Sequence, residues 1–222
     1  MCGRFTLTSE IEEVAHRFNA FPPDFSYSPR YNIAPSQLIP VVMKDQHDQN
    51  QIRLMKWGLI PFWAKDASIG NRLINARIET LTEKPAFRKA IRQNRCLIPA
   101  DGFYEWLKLD QGKQPMRIRL KNRKLFAMAG IFDTWDDPKG KRIISCSIIT
   151  TEASDSIRHI HIRMPLILSP NQEVGWLSPN LNGKDQINQF LSAITPPDLE
   201  AYPVTTAVNS PRYDNPELIK PA

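Results

Sequence analysis

Short apolar runs separated by polar breaks dominate the chain, and few stretches hold apolar residues at helical spacing. Residues 37–43 and 52–58 read as strands of a hairpin joined by the polar turn 44–51, with Pro40 marking a sheet edge or a bulge. A buried strand starts at Cys96, breaks at Pro99 and Asp101-Gly102, and resumes with alternation to Leu107. Further strands are predicted at 116–120, 126–135, 143–151 and 166–169, with polar turns at 121–124 and 136–141. Helical spacing is confined to a few segments. Ser9 and Glu12 read as a capping box for a helix whose apolar face is Ile11, Val14, Ala15 and Phe18, leaving His16 solvated. A second helix is predicted over 85–94 with Pro85 in its first turn, an apolar side at Ala86, Phe87, Ala90 and Ile91, and a basic side at Arg88, Lys89, Arg92 and Arg95. Ser169-Pro170 opens another helix, Ile187, Phe190, Leu191 and Ile194 mark the last, and residues 203–222 run extended. The pattern predicts one α+β domain over 1–222, a curved antiparallel, barrel-like sheet flanked by short helices.

Composition narrows the class. At 222 residues, 41% hydrophobic and 23% charged, the chain can bury a substantial core. No apolar run approaches the roughly 18 residues of a membrane span, and no secretory h-region is evident, so a cytoplasmic, membrane-free protein is expected, with a monomer as the default. Three widely spaced cysteines without a CxxC pair argue against a disulfide framework and a structural zinc site, and Cys96 and Cys146 read as core residues. His159 and His161 lie two apart but lack a third ligand nearby, so neither metal nor cofactor is expected. A net charge of +6 points to a polyanion, nucleic acid first.

The distinctive chemistry lies at Met1-Cys2-Gly3-Arg4. Removal of Met1 would leave Cys2 with a free α-amine and a thiol two carbons away. That pair can condense with an aldehyde to an imine and close to a five-membered thiazolidine. An α-amine titrates at roughly 7.7–8.0, so part of it is neutral near pH 7. Arg4 is close enough in sequence to favour a thiolate by its charge. Glu105, in a strand between Tyr104 and Trp106, is either a poorly solvated acid–base carboxylate or a residue of an exposed strand face, and spacing alone makes the exposed face commoner. Phe62 and Trp63, in a Pro- and Gly-broken loop beside Lys65, could stack on unpaired bases or plug a core. His161, near Arg163 and Pro165, reads as a positioned acid–base or hydrogen-bonding group.

Taken together, these stretches resemble the SOS-response-associated peptidase (SRAP) family of abasic-site processing proteins. The matching segments are Met1-Cys2-Gly3-Arg4-Phe5, 30–35, Trp57-Gly58-Leu59-Ile60-Pro61, Ile74-Asn75-Ala76-Arg77-Ile78-Glu79, 95–106, His161-Ile162-Arg163-Met164-Pro165 and Val208-Asn209. They keep the family's order from end to end. The resemblance implies that processed Cys2 forms a thiazolidine crosslink with the ring-opened aldehyde of an abasic site in single-stranded DNA. Asn75 would hydrogen-bond near the Cys2 backbone and opened sugar, Glu105 would shuttle protons and assist removal of Met1, and His161 would help open the deoxyribose. Arg4, Arg77 and Arg163 would hold phosphates, and Phe62 and Trp63 would wedge or stack against bases. Lys65, Arg72 and His159 match no motif position. An N-terminal-nucleophile peptidase acting on other peptides and a noncatalytic single-strand-binding module are the alternatives.

Overall fold

The computed structural model describes residues 2–121, 125–137 and 140–222. Fourteen strands are named among them. The first half contributes β1 (Phe5–Leu7), β2 (Ala20–Phe21), β3 (Arg30–Ile33), β4 (Leu38–Lys44), β5 (Asn50–Trp57), β6 (Asn75–Arg77) and β7 (Arg95–Ala100). The second half contributes β8 (Gly102–Lys108), β9 (Lys113–Leu120), β10 (Phe126–Asp136), β11 (Arg142–Glu152), β12 (Arg163–Pro165), β13 (Ile167–Leu168) and β14 (Leu199–Pro203). The α-helices are short: α1 (Ile11–Arg17), α2 (Ala90–Gln93), α3 (Pro170–Leu177) and α4 (Lys184–Ser192). None of the described helices is long and apolar enough to cross a membrane.

The apolar runs close on themselves. Going round the ring, β4 pairs with β5, β5 with β11, β11 with β10, β10 with β7, and β7 with β4. Four of these pairings are antiparallel and the closing one, β5 on β11, is parallel. The mixed character follows from parity: an odd number of strands cannot alternate direction all the way round a ring. The barrel is therefore mixed rather than purely antiparallel. Closure also removes the unpaired edges that would invite aggregation.

A second sheet, ordered β14-β9-β8-β1-β3, packs on the barrel. Phe5 of β1 meets Trp57 of β5 edge to face, ring centroids 5.2 Å apart. In β8, Phe103 belongs to the main core, whereas Tyr104 belongs to a separate cluster with Val204, Val208 and Leu218 from the C-terminal segment. Both faces of β8 are thus covered, and this decides the fate of Glu105.

Several local expectations change. The first helix starts at Ile11 behind Glu10, which makes no side-chain cap bond, so Ser9 is not the cap; Glu12 instead sits in the first turn, where its charge suits the helix dipole. The segment before β7 is helical only in α2; residues 81–89 form successive turns, which swing the chain round into β7. Arg95 is buried in β7 rather than on a basic face. Its guanidinium donates to the carbonyls of Ile91 (2.8 Å), Trp176 (2.7 Å) and Ser178 (2.7 Å), tying α2 to the end of α3. Pro40 lies in an interior strand, yet β7 pairs with β4 only at Val42, so its missing N–H leaves no gap in the ladder. The helix expected from Ser169-Pro170 is present as α3, with a capping box at Ser169 and Gln172 and Pro170 in the first turn. The tail is not simply extended: after β14 it forms 3-10 turns at Thr206–Asn209 and Pro216–Ile219. Parts of the predicted turns 121–124 and 136–141 lie outside the described residues.

Candidate active site

Antiparallel pairing of β1 with β8 aligns Phe5 with Phe103, and Tyr104 N–H donates to the Arg4 carbonyl (2.9 Å). By this register Gly3 falls opposite Glu105, and the charge of Glu105 acts on the neighbouring Cys2 thiol. Cys2 is fully buried. Its thiol donates to the carbonyl of Arg4 (3.8 Å), and its own carbonyl accepts from the Asn75 amide (2.8 Å). Asn75 comes from β6, laid parallel on β11 opposite Ile148. The remaining Asn75 oxygen, Oδ1, is buried and has no hydrogen-bond partner among the described residues. A buried acceptor left open is costly, so it marks a place for an incoming donor.

Glu105 is 4% exposed, against the commoner expectation for its spacing. Alternation puts it on the Phe103 side of β8, beneath the main core, while Tyr104 faces the C-terminal cluster. Burial pushes the Glu105 carboxyl above the ordinary range, and nearby positive charge, His161 included, draws it part of the way back. Half-buried His161 precedes β12. Its Nδ1 lies 3.0 Å from the Arg163 amide nitrogen and 3.1 Å from the Arg163 carbonyl oxygen, so the Arg163 backbone fixes the ring's orientation. Burial, with a contribution from the Glu105 charge, pushes the Cys2 thiol up to about 12. The anticipated thiolate is therefore absent at neutral pH, and the Arg4 guanidinium does not supply it. Native Cys2 is accordingly expected to react with iodoacetamide at pH 7.5 roughly 10²-fold or more slowly than free cysteine, measured by peptide mass spectrometry.

The Arg4 guanidinium points the other way, to Asn32 Oδ1 (2.8 Å) and to the carbonyls of Val208 (3.0 Å) and Asn209 (3.5 Å). Asn32, fully buried on β3, also donates to the Tyr213 carbonyl (2.8 Å). Trp106 Nε1 donates to Asn209 Oδ1 (2.7 Å), so the Val208-Asn209 turn is clasped over this edge of the site. Nothing in the sequence assigns Asn32 a role beyond its place in the family-like segment 30–35. Arg163 keeps 11% of its side chain exposed and is held by a forked ion pair to Glu79 and a bond to the Thr150 carbonyl (2.6 Å). Arg77 is exposed on β6, paired through its backbone with β11, and its guanidinium makes no hydrogen bond or ion pair among the described residues.

Phe62 and Trp63 are about half exposed, at 49% and 48%. Their loop is anchored from behind: Ile60 N–H donates to Ser145 Oγ (2.7 Å), Phe62 N–H to Asp133 Oδ2 (2.9 Å), and Trp135 Nε1 to the Ala64 carbonyl (2.7 Å). At its base Gly58 (φ +124°) faces Gly70 so closely that a Cβ on either would lie 2.6–2.7 Å from the other's carbonyl oxygen. The Lys89 ammonium stands 3.9 Å from the Phe62 ring centroid. His159 is exposed, and no cluster of three or more His, Cys, Asp or Glu side chains suited to a metal occurs among the described residues.

The site thus joins a fully buried Cys2, the Asn75 amide and a buried carboxylate at one edge of a closed barrel. The chain belongs to the SOS response associated peptidase (SRAP) family, whose model matches residues 1–211. It is 48% identical over 223 residues to the abasic site processing protein YoqW of Bacillus subtilis (strain 168), covering 99% of each chain. It is 33% identical to the abasic site processing protein HMCES of Gallus gallus, covering 88% of this chain and 67% of that protein. A crystal structure of a Bacteroides thetaiotaomicron protein superposes with a TM-score of 0.86 at 29% identity, covering 100% of both chains.

Proposed function

We propose that this protein processes abasic sites in single-stranded DNA by forming a thiazolidine between its processed N-terminus and the lesion aldehyde. With Met1 removed, the Cys2 amine adds to the aldehyde of the ring-opened deoxyribose and the carbinolamine loses water to an imine. The Cys2 sulfur then bonds to the imine carbon while the thiol proton passes to the nitrogen, closing the five-membered ring. The net change is loss of one water. Met1 lies outside the described residues, and its removal is part of this proposal.

The placement of Cys2 beside Glu105, with Asn75 holding the Cys2 carbonyl, supports this chemistry most. A carboxyl with a raised pKa can protonate the departing hydroxide and, once ionised, accept the ammonium or thiol proton. Asn75 Oδ1 offers an acceptor to the amine or to a sugar hydroxyl, and His161 assists opening of the deoxyribose. A neutral thiol makes the amine the first nucleophile, which is the order that thiazolidine formation requires. The same neutral thiol disfavours a peptidase that attacks through a thiolate. Names of the relatives at 48% and 33% identity point to the same lesion.

Exposed Arg77 would take a backbone phosphate. Arg4 and Arg163, whose guanidinium groups have protein partners, would brace the walls and add positive potential. Phe62 and Trp63 would stack on bases beside the lesion. Trp63→Ala in an unreactive Cys2→Ala background is expected to weaken noncovalent binding of single-stranded DNA about tenfold, within the range of one lost stacking contact. Arg77→Ala is expected to reduce the salt dependence by about 0.7 in log–log slope, one phosphate on a single strand, which Trp63→Ala leaves unchanged. Fluorescence anisotropy across a salt series measures both.

The direct test is a denaturing gel of purified, Met1-free protein with an oligonucleotide carrying one abasic site, beside intact DNA. A shifted band that survives denaturant and needs the abasic site is expected. No such band would sink the proposal.

A further inference from the structure

Backbone pairing alone holds the reactive terminus poorly. β1 has three residues, pairs with β8 only at Phe5–Phe103 and Thr6–Gly102, and shifts register against β3 between Phe5 and Leu7. Chain termini on such short ladders ordinarily fray. Yet Cys2 is fully buried.

A side-chain anchor lies next to it. Asp101, 5% exposed in the turn between β7 and β8, accepts from Thr8 Oγ1 (2.6 Å), from the Thr8 N–H and from Thr6 Oγ1. Asp101 N–H returns a bond to the Thr6 carbonyl (3.0 Å). Behind it, buried Arg117 of β9 donates to Asp101 Oδ1 (3.1 Å), Thr6 Oγ1 (3.2 Å) and the Tyr202 hydroxyl of β14 (2.8 Å). The guanidinium lies across Gly102 so closely that a Cβ there would fall 2.9–3.1 Å from its atoms, which explains the glycine. Thr6 and Thr8 are two residues apart in an extended chain, so a one-residue slip would turn both away from the carboxylate.

We infer that Asp101, supported by Arg117, is a positioning residue that locks the register of β1 and so sets the Cys2 amine and thiol against Glu105. Its logic is a common reference: Asp101 adjoins β8, the strand that carries Glu105, so nucleophile and acid–base group are measured from one strand. The inference rests on the proposed crosslinking chemistry. A displacement near 1 Å is enough to cost on the order of 10²-fold in rate.

The test uses Asp101→Asn and the milder Thr8→Val in the full, processed chain, with three readouts. Amide exchange at residues 3–8 is expected to quicken about tenfold, reporting the loosened strand. Crosslinking at saturating abasic oligonucleotide is expected to slow about tenfold in Asp101→Asn and about threefold in Thr8→Val. Noncovalent affinity of each variant combined with Cys2→Ala is expected to stay within about twofold, since the anchor does not face the DNA. A general loss of stability would not divide rate from affinity in this way. Unchanged rates despite faster exchange overturn the role, as do rate and affinity falling together. Should Asp101→Asn not fold, Thr8→Val decides by the same criteria. A wild-type protein that forms no crosslink overturns the proposed reaction and this role with it; a normal wild type beside an unaffected variant overturns this role alone.

Discussion

Cys2→Ala is expected to lose the denaturant-resistant DNA adduct, by about 10²-fold or more, while keeping its noncovalent affinity for single-stranded DNA. The thiol is the group that closes the ring; without it, the chemistry stops at an imine that water reverses. Affinity should survive because Cys2 is buried and its thiol neutral, so the substitution removes neither charge nor exposed surface. The amine is still present in the variant. Borohydride added during the reaction should therefore reduce the imine and restore a covalent band in Cys2→Ala. A denaturing gel with and without reductant reads both results. A full adduct from Cys2→Ala without reductant would show that sulfur is dispensable, and a missing band with reductant would show that the amine is not the attacking group.

The second large effect belongs to Glu105. Glu105→Gln keeps the shape and removes proton exchange, so the single-turnover crosslinking rate is expected to fall about 10²–10⁴-fold, the usual scale for a lost general acid–base group. Its stability should move the opposite way. Burial is the largest cause of the raised Glu105 carboxyl, and between the ordinary carboxylate value and the raised native value the folded state holds more proton than the unfolded chain. Stability therefore falls as pH rises through that window, and the full penalty persists above it. Glutamine carries no such penalty. The thermal midpoint of Glu105→Gln relative to wild type is expected to be higher at pH 8 than at pH 4, measured by parallel melts. A difference independent of pH would contradict the buried, strained carboxylate. Slower chemistry with higher stability is the usual signature of a group retained for function.

Much of the barrel was legible as apolar runs, because β4, β5, β7, β10 and β11 each bury residues on strand-like spacing. Closure was not, since the parallel pairing of β5 with β11 joins segments far apart in sequence and leaves no local pattern. The motif positions Cys2, Asn75, Glu105 and His161 could be named from the chain, but their environments could not. Glu105 reads by alternation as an exposed residue only if one face of β8 is wet, and the C-terminal segment packs on the face bearing Tyr104. Arg4 reads as a free cation near a thiol; Asn32 and two carbonyls of the tail take it up. Arg163 likewise reads as a phosphate clamp until Glu79 and Thr150 are seen to hold it. Arg95 joins the basic face only while its helix is drawn too long. In each case the deciding partner comes from a distant segment.

The most direct test of the central chemistry is the intact mass of the complex between wild-type protein and a short abasic oligonucleotide, taken with and without borohydride treatment of the finished product. The expected mass is that of the Met1-free chain plus the DNA less one water, unchanged by reductant because the thiazolidine carbon is already saturated. A product that retains Met1, keeps the water, or takes up two hydrogens on reduction would contradict a ring closed by both the amine and the thiol of Cys2.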